Sequence, residues 1–199
     1  MKRLILVAAP PASGKSYVAR QLAKALNPVV YLDKDTLTIL SKQIFSVASE
    51  PYNRSSGFFE EHVRNYEYDT ILALAKDALR YSNTVLINAP FTREVRNPEY
   101  IHRLREQLYQ RHIALTIIWV VADPEVCHKR MLGRNSDRDT WKLTHWDEYI
   151  AGCDFSIPKG INNPKDKREF ILFYNSNEKE FKTSLKETLT LLKRRYEHH

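Results

Sequence analysis

Residues 3–16 read Arg-Leu-Ile-Leu-Val-Ala-Ala-Pro-Pro-Ala-Ser-Gly-Lys-Ser, and the fold turns on this stretch. The apolar run Leu4 to Val7 predicts a buried strand, the loop ends in Gly14-Lys15-Ser16, and a helical pattern follows. Strand, tight loop and helix N-terminus in that order are the setting of a phosphate-binding loop, or P-loop, whose backbone N–H groups converge on an anion. In this reading Ala12, Ser13, Gly14, Lys15, Ser16 and Tyr17 surround the phosphates of a nucleoside triphosphate. Lys15 supplies a compact cation for the β- and γ-oxygens, and the Ser16 hydroxyl is placed to ligate Mg2+.

The pattern Gly-x-x-x-x-Gly-Lys-Ser is modified here. Ala9 replaces its first glycine, and Ala12 stands where many such loops carry another. Alanine tolerates positive φ poorly, so Ala9 is expected at an ordinary backbone angle, with Pro10 and Pro11 stiffening the turn. An incidental Ser-Gly-Lys-Ser turn would lack the strand before it and the helix after it.

With 199 residues, 43% of them hydrophobic, the chain fits one domain, expected over residues 1–196. Glu197-His198-His199 looks like a purification-tag remnant, so its histidines carry no metal argument. No apolar run has membrane-spanning length, and no membrane partner is expected. Cys127 and Cys153 show no metal or redox spacing, which points to a reduced, cytoplasmic setting. The net charge of +7, from 31 basic and 24 acidic residues, admits a nucleic-acid partner without favouring one. The excess is spread along the chain, and a phosphate site with a lysine-rich last helix accounts for it.

Strand patterns alternate with helical ones, the signature of a parallel sheet covered by helices. Strands are predicted at Arg3–Ala8, Val29–Leu32, Thr84–Asn88, Leu115–Val121 and Phe170–Tyr174. Helices are predicted at Lys15–Leu26, Thr36–Phe45, Phe58–Tyr81, Pro98–His112, Pro124–Gly133 and Glu178–Tyr196. The fold class is therefore α/β: a single-domain P-loop NTPase with a five-stranded parallel sheet, helices on both faces and an arginine-bearing lid. Its ligand belongs at the carboxyl ends of the strands.

Those ends carry the chemistry. The second strand runs into Asp33-Lys34-Asp35. A carboxylate there can take the proton of an acceptor hydroxyl and aim it at the γ-phosphorus. Asp35 also precedes a helix and would serve as its N-cap, while Asp33 is a candidate Mg2+ ligand or structural partner. The third strand ends at Asn88, an amide where many P-loop proteins have a metal-binding acid. Arg130, Arg134 and Arg138 recur at four-residue spacing and predict a lid at about residues 130–145, with Arg134 and Arg138 toward the γ-phosphate and Arg130 toward the helix below. Weaker signals come from Arg93, from Arg64, Tyr66, Glu67 and Tyr68 on an acceptor side, and from Tyr174-Asn175-Ser176-Asn177 near a nucleotide base. Trp141, Trp146 and Tyr149 read as packing residues.

With these motifs together the chain resembles the small P-loop kinases, among them polynucleotide-kinase-like and zeta-toxin-like enzymes and proteins labelled AAA family ATPases. The resemblance rests on Ala9–Ser16, Lys34-Asp35-Thr36 and Arg134-Asn135-Ser136. It implies ATP and Mg2+ as cofactors, Lys15 and Ser16 on phosphate and metal, Asp35 as general base and Arg134 as a lid arginine. Thr38 stands where the polynucleotide kinases carry an arginine, so their nucleic-acid recognition does not transfer. The expected activity is phosphoryl transfer from ATP to an acceptor hydroxyl of unread identity. The rivals are a nucleotide-gated binding protein and a nucleic-acid-binding module.

Overall fold

In the computed structural model, which describes residues 2–134, 143–159, 161 and 166–193, all five strands run parallel in the order β2-β3-β1-β4-β5. They are β1 (Lys2–Ala8), β2 (Val30–Asp33), β3 (Thr84–Asn88), β4 (Ile113–Val121) and β5 (Phe170–Tyr174). The helices are α1 (Lys15–Ala25), α2 (Thr38–Val47), α3 (Gly57–His62), α4 (Arg64–Tyr81), α5 (Thr92–Val95), α6 (Pro98–Tyr109), α7 (Pro124–Arg134), α8 (Trp146–Ala151) and α9 (Glu178–Lys193), with a 3-10 turn at Lys34–Leu37.

Alternate side chains of a strand face opposite ways, and β1 is apolar on both sides. Leu4, Leu6 and Ala8 pack under α4 and α6, while Ile5 and Val7 pack under α1 and α9. Connections from β1 lead toward β2, whereas those from β4 lead toward β5. The chain therefore diverges at the carboxyl ends of β1 and β4, where an open α/β sheet leaves its crevice. Among the described residues no helix is long and apolar enough to cross a membrane.

The five predicted strands are present, two with the predicted bounds and three with ends shifted by one or two residues. The helices differ more. The stretch expected as one helix from Thr36 opens as the 3-10 turn, because the Asp33 side chain accepts from the Asp35 N–H and tightens it. The helix expected over Phe58–Tyr81 breaks at Val63, whose φ of −126° is not helical. Val63 is buried with Phe45 and Phe59 in a separate apolar cluster, which holds the chain at the break between α3 and α4. The helix expected to reach His112 stops at Tyr109, and His112 adopts φ 56° in the turn into β4. The sequence pattern predicts neither of the short helices α5 and α8, since one turn or two give no periodic signal. The tail from residue 194, including the tag-like end, lies outside the described residues.

Leu6 is fully buried on the central strand. Leu6→Ala is expected to lower unfolding stability by about 3 kcal/mol, read as a lower urea midpoint with unchanged m-value.

Candidate active site at the carboxyl ends of the strands

The loop from Ala9 to Gly14 joins β1 to α1 through two left-handed residues, Ala12 at φ 60° and Gly14 at φ 84°. Ala9 is not among the positive-φ residues, as expected; Ala12, the other glycine replacement, does take a glycine-like angle. Gly14 ends the loop without a capping side chain, and the first turn of α1 holds no acidic residue. Its orphan N–H groups, with the positive end of the helix dipole, are left for an anion. The Ser13 hydroxyl donates to the Pro10 carbonyl at 2.9 Å and closes the loop. The backbone of Tyr17 belongs to this first turn, but its ring, 56% exposed, lies against Phe181 at 5.1 Å between centroids.

Register builds the rest of the site. Val7, Asn88 and Asp33 are level across β1, β3 and β2. The buried Asn88 side chain accepts from Lys15 Nζ through Oδ1, and its Nδ2 donates to Asp33 Oδ2 at 2.8 Å and to Ser16 Oγ at 3.1 Å. One amide thus joins the P-loop cation, the P-loop hydroxyl and the strand-end carboxylate. Only an amide can make this set: an aspartate at 88 could not donate to Asp33 and would repel it. Asp33 Oδ2 also accepts from the Tyr31 hydroxyl at 3.0 Å, and burial together with this carboxylate pushes the Tyr31 phenol up to about 12. Asp33 Oδ1 accepts from the Asp35 N–H at 3.1 Å. The capping role weighed for Asp35 therefore belongs to Asp33, and the Asp35 carboxylate stands exposed on the same turn.

Beside this turn lies a buried ionic cluster that sequence reading missed. Glu67 of α4 accepts from Lys34 Nζ at 2.5 Å, from Ser41 Oγ at 2.5 Å, and from both terminal nitrogens of Arg54 at 3.0 and 2.6 Å. Lys34 and Glu67 side chains are each 3% exposed. Burial opposes the charge on Glu67, but hydrogen bonds from Lys34 and Ser41 outweigh it and hold the carboxyl below its ordinary range. Burial, with Arg54 nearby, lowers the Lys34 ammonium. Glu67 sits at a core-facing position in register with Tyr68, Ile71 and Leu72, and an acid on an apolar stripe is the signal that could have revealed the cluster.

The other candidates divide. Arg130 does not face the helix below: its long side chain reaches across to the P-loop, donating to the Ser13 carbonyl at 3.2 Å and the Asn175 carbonyl at 2.7 Å. Asn175 Nδ2 donates to the same Ser13 carbonyl at 2.7 Å. Arg93 pairs with Glu60 at 2.6 Å and Arg64 with Glu94 at 2.9 Å. Trp146 stacks on His128 at 3.8 Å, holding α8 on α7. Arg138, Trp141 and the side chain of Arg134 lie outside the described residues, as do residues 135–142 of the lid expected at 130–145.

A family model described as an AAA domain matches residues 4–155. The chain belongs to the AAA domain family. No curated protein matches its sequence. Among solved structures, this AAA domain is similar to a candidate kinase from Chloroflexus aurantiacus, at 18% identity and TM-score 0.63 over 96% of this chain and 99% of that one. It is also similar to a gluconokinase from Sinorhizobium meliloti 1021, at 15% identity and TM-score 0.53 over 96% and 95%. Kti12 of Chaetomium thermophilum, solved with ADP-AlF3, aligns at 19% identity and TM-score 0.54 over 96% and 100%. At these identities the likeness is one of fold, and the fold is that of the P-loop kinases.

Two outcomes follow from the geometry. Ala12→Gly relieves a left-handed alanine and is expected to raise stability by about 1 kcal/mol, a rise in Tm of about 2–4 °C. Glu67→Gln strands two cations and is expected to cost about 3 kcal/mol at neutral pH by chemical denaturation. Because the Glu67 pKa is depressed, its contribution is present above the ordinary value of 4.5 and is lost as pH falls below it, so wild type and variant should converge in acid.

Proposed function

We propose that the chain is an ATP- and Mg2+-dependent phosphotransferase that moves the γ-phosphate of ATP to an acceptor hydroxyl. The observation that carries this reading is the Asn88 amide, which gathers Lys15, Ser16 and Asp33 at one point beside the exposed carboxylate of Asp35. A pure phosphate binder has no need of a second carboxylate there.

Lys15 holds the β- and γ-oxygens, with the loop N–H groups of Ala12 to Ser16 around them. Asp35 accepts the proton of the acceptor hydroxyl as its oxygen bonds to the γ-phosphorus, and the bond from that phosphorus to the β–γ bridging oxygen breaks to release ADP. Arg134 and Arg138, assigned by sequence position, neutralise charge on the moving phosphoryl group. Mg2+ fits the donor set. The Ser16 hydroxyl and Asp33 carboxylate flank the same Asn88 nitrogen, and no group of three or more His, Cys, Asp or Glu side chains able to hold a metal occurs among the described residues. An ion held by one hydroxyl, a carboxylate, water and the phosphates is the Mg2+ pattern; when bound it offsets phosphate charge.

The unit spans residues 1–196 and works in the cytoplasm, with a small molecule or a nucleic acid as acceptor, the latter not favoured. The gluconokinase among the similar folds supports a small acceptor. A second reading, a nucleotide-gated binder without transfer, is favoured by the neutral Asn88 in place of an acid.

Labelled γ-phosphate should appear in one class among 5′-hydroxyl oligonucleotides, nucleosides, sugars and aminoglycosides. Asp35→Asn should keep ATP affinity and lose transfer by at least about a hundredfold, and Lys15→Ala should lose ATP binding. Full transfer by Asp35→Asn would move the base elsewhere. Tight ATP binding with no labelled acceptor would favour the gated binder.

A further inference from the structure

We infer that Arg130 and Asn175 are positioning residues for the phosphate cradle, setting affinity for the β-phosphate without touching it. This deepens the nucleotide-binding half of the function proposed above. Three distant segments meet at one carbonyl. Ser13 C=O, in a residue 1% exposed, accepts from Arg130 Nη1 at 3.2 Å and from Asn175 Nδ2 at 2.7 Å. The second guanidinium nitrogen, Arg130 Nη2, donates to the Asn175 carbonyl at 2.7 Å, closing a triangle among α7, the loop after β5 and the P-loop.

The other end of that peptide is the Gly14 N–H. A trans peptide is planar, so its C=O and N–H point in opposite directions. Two donors holding the Ser13 carbonyl on the outside of the loop fix the peptide plane and aim the Gly14 N–H at the inside. They also polarise the peptide, one of them with a full positive charge, and hydrogen bonds in such a chain strengthen one another. Gly14 is needed for the approach itself: a Cβ there would stand 2.3 Å from Asn175 Nδ2, in addition to the φ of 84°. The arrangement answers a weakness of this loop. Ala12 stands at φ 60° where glycine would be at ease, so the cradle carries local strain and is held from outside.

The test is competition of ATP, ADP and AMP against a fluorescent ATP analogue with Mg2+, in wild type, Arg130→Gln, Arg130→Lys and Asn175→Ala, with melting temperatures alongside. Arg130→Gln and Asn175→Ala should weaken ATP and ADP about tenfold each, the factor one well-formed hydrogen bond represents. AMP, which lacks the β-phosphate, should be unchanged. Arg130→Lys should recover only part of the loss, since an ammonium keeps the charge but reaches one carbonyl in place of two. Equal losses for AMP and ATP, or unchanged affinity with lowered melting temperature, would reduce the pair to a structural brace and overturn the inference. Full recovery by Arg130→Lys would overturn the two-pronged geometry in favour of charge alone. Wild type that binds no ATP would overturn this inference and the P-loop reading together, whereas wild-type binding with indifferent variants would overturn this inference alone.

Discussion

One side-chain amide, that of Asn88, ties the phosphate loop to the sheet. Its oxygen takes the Lys15 ammonium and its nitrogen serves both Ser16 and Asp33, so cation, hydroxyl and carboxylate are held at distances set by strand register. The amide is buried, and a buried polar group must satisfy both its donors and its acceptor. Here it does so with three groups of the candidate site. The negative charge that many P-loop proteins carry on the third strand stands instead on the second, at Asp33. That shift also decides the turn that follows, because Asp33 caps it and leaves the Asp35 carboxylate exposed.

The Glu67 cluster supports the same corner from below. Three cation or hydroxyl side chains on a single carboxylate link the 3-10 turn, α2, the segment before α3 and α4. Replacing such a cluster by apolar side chains often costs little stability, so its value here lies in fixing one arrangement. It joins the turn that bears Asp35 to α4, whose buried apolar residues belong to the main core.

How much could be read beforehand differs by element. The strands were legible because β1, β3 and β4 are near-continuous apolar runs, as fully buried parallel strands must be. The P-loop was legible from Gly14-Lys15-Ser16 between a strand and a helix. The break at Val63 was not, since Phe58 to Tyr81 keeps a helical pattern and only burial of Val63 beside Phe45 makes the chain turn. Arg130 was placed wrongly because spacing gives the face of a helix but not what a long side chain reaches from it. Glu67 gives only a weak acceptor-side signal in the sequence, although its position on the apolar stripe of α4 marks it as buried.

By itself the sequence determined the five strands, their parallel arrangement and the phosphate loop, because these depend on local periodicity and on glycine, lysine and serine at short fixed spacing. Only the tertiary structure decided which polar groups work together. Asn88 with Asp33, Glu67 with Lys34 and Arg54, and Arg130 with Ser13 and Asn175 are contacts between residues 13 to 117 positions apart. Their partners are chosen by sheet register and by which helix packs on which face, and that information is not carried by any local stretch of the chain.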